Sequence, residues 1–321
     1  MESGTIEIIP FQSDHVTQAC SIVADNYREE REFVPEIPVL SEFFVPEIFL
    51  KNGLGVAAID DGDLIGFLCG FGPIDNQFGD VKGVFSPLHG HGAIQSDRKK
   101  IYSLLYSYAA KIWVKKEIFS HSIALYAHDN GGITSFFQNG FGMRCIDAIR
   151  SFDPISTPCL KECSYYEITT EKVEDIVPLN NALILHMHQS PIFMPIKHRN
   201  QAEIVKDVKE GLFRYFCAFK DGTIIGYMKV GGSGENFISR HNSMVNICGA
   251  YLLPEYRGQG IASQLLSYIL SQMQREGYDS VGVDFESINP QAREFWLRFF
   301  TPYTNSLVRR IDERSTTTSI D

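Results

Sequence analysis

The run Leu253-Pro254-Glu255-Tyr256-Arg257-Gly258-Gln259-Gly260-Ile261-Ala262-Ser263 has the residue types needed to hold an anion. Glycines at alternate positions, Gly258 and Gly260, let successive backbone N–H groups turn to one side. A helix that begins beside them adds the positive end of its macrodipole. Arg257 supplies a fixed positive charge, and a pyrophosphate is the group such a loop suits. A Walker A loop is excluded, because the Gly-x4-Gly-Lys spacing is absent. A dinucleotide fingerprint is excluded as well. Its glycines follow directly on a strand and lead into further strands, whereas here Pro254 to Arg257 intervene.

The segments around this loop read as its supports. Val245–Leu253 is rich in β-branched and aromatic residues and reads as a strand running into the loop. After it, Leu265, Leu266, Ile269, Leu270 and Met273 recur at i, i+1, i+4, i+5 and i+8, one face of a helix. Ser280–Phe285 alternates as a strand. Pro290 suits the first turn of a short helix with Ala292, Phe295 and Phe299 on its apolar side. Leu307–Ile311 reads as a closing strand. Upstream, helices are expected over Val173–His188 and Ala202–Leu212, and strands over Tyr215–Phe219 and Ile224–Val230. The mixture predicts an α/β (α+β) fold.

This half has a counterpart in the first. Asp61-Gly62-Asp63-Leu64-Ile65-Gly66-Phe67-Leu68 returns as Asp221-Gly222-Thr223-Ile224-Ile225-Gly226-Tyr227-Met228, each a turn-forming Asp-Gly followed by an apolar run. Asn130 to Phe137 matches Asn289 to Trp296, and Ile8, Val16 and Ala19 match Ile168, Ile176 and Leu179. Three matches in one order, offset by about 160 residues, predict a tandem duplication. The expected division is a first domain over 1–152, a proline-bearing linker over 153–163, a second domain over 164–312 and a polar tail over 313–321. In the first half the glycine loop is shortened to Pro87-Leu88-His89-Gly90-His91-Gly92 and lacks the arginine. Gly90 and Gly92 retain the spacing of a phosphate cradle, but a structural partner to the second half is the expected role of this half.

Arg257-x-x-Gly260-x-Ala262 after a strand, followed by Asn289-Pro290-Gln291-Ala292-Arg293-Glu294-Phe295-Trp296, resembles the acetyl-CoA signature and the next element of the GNAT acyltransferases. The resemblance is strong over 212–312 and fainter over 164–211, and the whole chain resembles tandem GNAT members with one working half. It implies direct acetyl transfer from acetyl-CoA to a primary amine of a small molecule or peptide. A longer-chain acyl or aminoacyl transferase and a non-enzymatic CoA-binding scaffold are the alternatives. Carried over, Ala250, Tyr251 and Leu252 would meet the pantetheine arm, and Arg257, Gly258, Gln259, Gly260, Ile261, Ala262 and Ser263 the pyrophosphate. Asn289 would hold the pantetheine side and Phe295 would pack on the cofactor. The family's usual proton donor, a tyrosine, is replaced by Trp296, and its usual basic glutamate by Asn246. Glu286 and Tyr303 are the expected catalytic substitutes, with Asp284 and Tyr256 beside them.

Composition narrows the partners. With 29 Lys+Arg against 39 Asp+Glu the formal charge is −10, which disfavours nucleic acid and mildly favours a cationic acceptor. No apolar run approaches the length of a bilayer span and no leader is visible, so neither a membrane partner nor export is expected. Seven cysteines at low density fit reduced thiols in a cytoplasmic chain; Cys159 and Cys163 are read as free. His89 and His91, or His186 and His188 with Cys217, lack a completing ligand, so no metal is expected. The segment from His186 to Met194 falls where such folds place acceptor-contacting loops. Monomer and homodimer both remain open.

Overall fold

The computed structural model describes residues 6–156, 162–196, 200–232 and 234–316. Two compact units are present. One comprises Met1–Pro35, Val39–Ile146 and Pro302–Asp321, the other Glu36–Pro38 and Asp147–Thr301. In chain order the first stretch gives β1 (Glu7–Pro10), α1 (Val16–Phe33), α2 (Ile48–Lys51), β2 (Val56–Asp60), β3 (Asp63–Leu68), β4 (Phe71–Ile74) and β5 (Lys82–Ser86). It continues with β6 (His91–Ala93), α3 (Arg98–Lys115), β7 (Ile118–Tyr126), α4 (Asn130–Gln138) and β8 (Gly142–Arg150). The second stretch gives β9 (Cys163–Glu167), α5 (Val177–His188), α6 (Gln201–Lys209), β10 (Phe213–Lys220), β11 (Thr223–Gly231) and β12 (Met244–Leu252). It closes with α7 (Ile261–Arg275), β13 (Ser280–Glu286), α8 (Pro290–Trp296) and β14 (Thr301–Arg310).

The first unit holds a sheet ordered β1-β2-β3-β6 and a run ordered β4-β5-β7-β14. The helix α3 packs Ile101, Leu105 and Ala109 into a core with Val56, Ala58, Leu68 and Leu125. In the second unit the strands run β8-β13-β12-β11-β10-β9. Its core on one sheet face joins Val173, Ile176, Leu179 and Ile204 to Tyr215, Cys217, Phe219 and Tyr227.

The duplication is visible in backbone detail. Asp61 and Gly62 have φ of 48° and 88°, Asp221 and Gly222 have 49° and 80°, so both hairpins turn through two left-handed residues that match the strand twist. Each hairpin also slips register at the same place, between Ala58 and Ile59 and between Ala218 and Phe219. The second repeat element shifts by one residue from the sequence pairing. Asp129, and not Asn130, caps α4 by accepting from Gly132 N at 2.8 Å, as Asn289 caps α8 by accepting from Ala292 N.

The compact units do not follow the expected division at 153–163. β14, placed by sequence in the second domain, pairs antiparallel with β7 from Thr304↔Tyr126 to Arg310↔Ser120 and belongs to the first unit. Of the expected linker, residues 157–161, including Cys159, lie outside the described residues, as does the end of the tail from 317; Glu313–Thr316 form one 3-10 turn. Among the described residues no helix is long and apolar enough to cross a membrane.

Candidate active site

The site of the second unit begins with a strand pair that comes apart. β12 and β13 run parallel and are paired from Met244↔Ser280 to Ile247↔Val283. Pairing then stops, although β12 continues to Leu252 and β13 to Glu286. On its other edge β12 stays bound to β11, with Ala250 opposite Met228 and Tyr251 opposite Tyr227. One edge of 248–252 is therefore released from the ladder between β12 and β13. An extra residue, Cys248, lies between the pairs Lys229↔Gly249 and Val230↔Ile247, a bulge at the mouth of the opening.

A cavity of ≈ 450 Å³ fills the region beside this opening. Ala250, Tyr251, Leu252, Arg257, Gly258, Gly260, Ile261, Ala262, Ser263, Asn289 and Phe295 all line it, together with Trp296. Gln259 does not; its side chain turns back to donate to Glu255 O at 2.9 Å. The loop is built for backbone donors. Gly258 has φ +75° and a Cβ there would meet nothing within 4 Å. Gly260 caps α7 at φ 84° and offers the helix no side-chain acceptor, so the first-turn amides are left for another partner. Arg257 is held by three contacts: Nε donates to Leu252 O at 2.9 Å, Nη1 to Gln291 Oε1 at 2.7 Å, and the guanidinium lies 5.3 Å from the Tyr251 ring centroid.

Sequence reading gave His186 no role of its own. It lies in the last turn of the α5 helix, lines the cavity, and hydrogen-bonds Asn289. Burial first, and then the Arg257 charge, lower its pKa, which favours the neutral imidazole at the cavity wall. The signal was present in the run from His186 to Met194, but a helix end does not show which of its two histidines faces inward. His188 instead meets Ile196 O at 2.7 Å.

Neither residue of the expected catalytic pair lines this cavity. Tyr303 is 1% exposed in the first unit, on the strand paired to β7, and does not line the cavity. Glu286 is half-buried on β13 and also lies outside the lining, its backbone O accepting from Asn289 N. Asp284 lies outside the lining too, but it stands at the strand opening. With Cys248 it is the first residue beyond the last β12–β13 pair. Burial, and then the charges of Asp147 and Glu235, push its carboxyl up to about 7, with Lys229 opposing. Asp147 in turn accepts from Asn236 Nδ2 at 3.1 Å. Asn246 is 3% exposed and spends its amide on Ser239 O at 2.8 Å.

The corresponding loop of the first unit is filled. A Cβ on Gly92 would approach Ile22 Cγ2 to 2.7 Å, and one on Gly90 would approach Pro87 Cδ to 2.8 Å. No phosphate cradle is open at Gly90 and Gly92. His91 is 4% exposed, with Nδ1 2.9 Å from Tyr102 Oη and Nε2 2.7 Å from Ala124 O, a satisfied core histidine. Among the described residues no group of three or more His, Cys, Asp or Glu is placed to hold a metal ion.

Residues 183–300 match the acetyltransferase (GNAT) family model. No curated protein matches the chain. Among solved structures, a GCN5-related N-acetyltransferase from Sphaerobacter thermophilus aligns with a TM-score of 0.57 at 12% identity, covering 95% of each chain. The glucosamine N-acetyltransferase region of a fungal multi-domain GH3 β-N-acetylglucosaminidase aligns at 0.50 and 14%, covering 96% of this chain and 38% of that one. A tandem GNAT protein from the clavulanic acid biosynthesis pathway aligns at 0.44 and 13%, covering 95% of this chain and 98% of that one. The likenesses to the first two structures show the fold, and the family model marks residues 183–300 of this chain as an acetyltransferase (GNAT) domain, the acyl-transferring part of an enzyme.

Proposed function

We propose that the second unit transfers an acetyl group from acetyl-CoA directly to a primary amine of a small molecule or peptide. The observation that carries this reading is the opening of β12 from β13 beside the α7 N-terminus. The freed edge of 248–252 receives the pantetheine arm as an added strand would be received. The amides of 258–263 and the guanidinium of Arg257 hold the pyrophosphate. The cavity fits that group, since the open side of Gly258 and the uncapped first turn of α7 are donors with no protein acceptor assigned to them. Asn289 and His186 wall the arm, and Phe295 packs against it.

Asp284 is the proton acceptor in this reading. The acceptor arrives as an ammonium, attracted by Asp147, Glu235 and Asp284, and a carboxylate whose pKa stands at about 7 takes its proton near neutral pH. The freed nitrogen attacks the thioester carbonyl. Backbone amides at the Cys248 bulge stabilise the oxyanion, and as the C–S bond breaks the nitrogen's second proton passes to the departing thiolate, leaving a neutral amide and the CoA thiol. A thiol of ordinary pKa, ~8.5, leaves without a strong acid, which accommodates Trp296 at the position of the family's tyrosine.

Calorimetric titration of acetyl-CoA into the full chain is expected to give one site per chain. Thiol release with a panel of amines should rise with pH through about 7. Asp284→Asn should lower kcat by roughly 10²–10⁴-fold and remove that rise. No binding at millimolar acetyl-CoA overturns the reading, and two sites per chain overturn the assignment to the second unit alone.

A further inference from the structure

The first unit has a cavity of its own, ≈ 270 Å³, lined by α1 and by the starts of α3 and α4. Its wall charges are unbalanced. Glu29, Glu30, Glu32 and Asp129 face one guanidinium, Arg98, and one imidazole, His128. Arg98 is already committed, with Nη1 2.7 Å from Glu29 Oε2 and 3.7 Å from Asp129 Oδ1. His128 donates its backbone N–H to Glu30 Oε2 at 3.1 Å and sets Nδ1 2.8 Å from Glu30 Oε1. Glu30 is only 2% exposed, and burial is the main reason its pKa is raised, as it is for Asp129. A second cation in the cavity would lower both.

An independent observation points to a ligand. Tyr126 lines the same cavity and is 5% exposed, yet its hydroxyl is buried with no hydrogen-bond partner among the described residues. A buried phenol left unpaired keeps its full desolvation penalty, so such groups in folded proteins almost always have a partner. Glu30 acts on this hydroxyl electrostatically, and both line the one cavity. At the rim, Phe33 is 60% exposed and stacks on His128, with ring centroids 4.6 Å apart and planes at 4°. That stack gives an apolar, π-rich flank beside the carboxylates. A metal ion does not suit the site, since no three ligating side chains converge. An anion is repelled by the carboxylate excess.

We propose that this cavity binds a small organic ammonium ion, its N–H groups directed to Tyr126 Oη and Glu30 and its methylenes lying against the Phe33–His128 stack. The site is separate from the acyl-transfer site and does not depend on that reading. An alkyl diammonium ion would set one charge at Glu30 and the other near the exposed Glu32.

The probe is 1,4-diaminobutane, titrated calorimetrically into the full chain without acetyl-CoA. Binding is expected, weakened about fivefold to tenfold by Tyr126→Phe, which removes one oxygen and keeps the ring. Glu32→Gln, on an exposed position that leaves the core intact, should weaken it about twofold to fivefold and serves if Tyr126→Phe folds poorly. Heat from the amine-acceptor site of the second unit is told apart because Asp284→Asn removes it and Tyr126→Phe does not. Absence of binding at millimolar diamine overturns the proposal, as does a heat that neither Tyr126→Phe nor Glu32→Gln alters. Displacement of the diamine by inorganic pyrophosphate from an intact cavity overturns it too.

Discussion

Two glycine pairs occupy corresponding places in the halves of this chain and meet opposite surroundings. Around Gly258 and Gly260 the backbone turns left-handed, a Cβ on Gly258 would enter open space, and α7 starts without a side-chain cap. Around Gly90 and Gly92 the neighbours Ile22, Asn26 and Pro87 are all close enough to obstruct a Cβ. Arg98, the first residue of α3, turns back so that Nε donates to Ala93 O at 3.1 Å. The same frame thus leaves a hole at one glycine pair, where we propose an anion is held, and a packed core at the other, where side chains fill it. Loss of the site in the first half is a matter of filling, with the hairpin, the long helix and the capped short helix all kept.

Gly260→Glu tests this difference most severely. A carboxylate placed at the mouth of α7 should raise the acetyl-CoA Kd by roughly 10³-fold or more through charge repulsion and lost amide access. The left-handed backbone should cost only about 1–2 kcal/mol of stability, read by thermal denaturation. Acetyl-CoA binding that survives this change would falsify the placement of the pyrophosphate.

Acid should separate the halves next. Burial lowers the pKa of His91 and of His121 to about 4, from 6.5. A depressed pKa stabilises the fold fully above the unfolded value and less as pH falls toward the folded one, so stability is lost between pH ~6.5 and 4. The loss is on the order of 3 kcal/mol for His91. The chain has two tryptophans; Trp113, 2% exposed and 4.9 Å from the His121 ring, reports the first unit once Trp296→Phe silences the other. A Trp113 transition whose midpoint stays flat from pH 7 to 4 contradicts the prediction.

Gly92→Val inverts the first experiment. It should destabilise the first unit by about 1–3 kcal/mol through overpacking, with the acetyl-CoA Kd moving less than about twofold at a temperature where the variant is folded. Arg257→Gln is the mildest change. It removes one charge from a site with several backbone donors and should raise the KM for acetyl-CoA about tenfold, leaving kcat within about twofold. A fall in kcat without a rise in KM would place Arg257 at the chemistry instead of at the phosphates.

Much of this frame was legible in the chain because it rests on local rules. Asp-Gly pairs announced both hairpins, the i, i+4 stripe from Leu265 to Met273 announced α7, and alternation announced β13. What remained hidden depends on contacts between distant segments. Nothing in the pattern of Thr301–Arg310 says that its partner is β7. The charges that raise Asp284 come from Asp147 and Glu235, so the sequence left Asp284 and Glu286 as equals. Tyr303 looked free to act until its burial was known, and Gln259 looked like a wall residue until its side chain was seen to fold back. Short capping signals were ambiguous by one residue, as Asp129 and Asn130 show.

The placement of β14 also orders events during synthesis. The first unit needs a strand that the ribosome delivers only after all of β9 to α8. An emerging amino-terminal half therefore presents β7 with an unsatisfied edge until translation reaches residue 310, and it must wait, or be chaperoned, in an incomplete state. Separate expression of the two halves, divided at the 153–163 segment, would strand β14 on the wrong fragment. The two copies have become one cooperative gene product that can no longer be un-duplicated by a single cut.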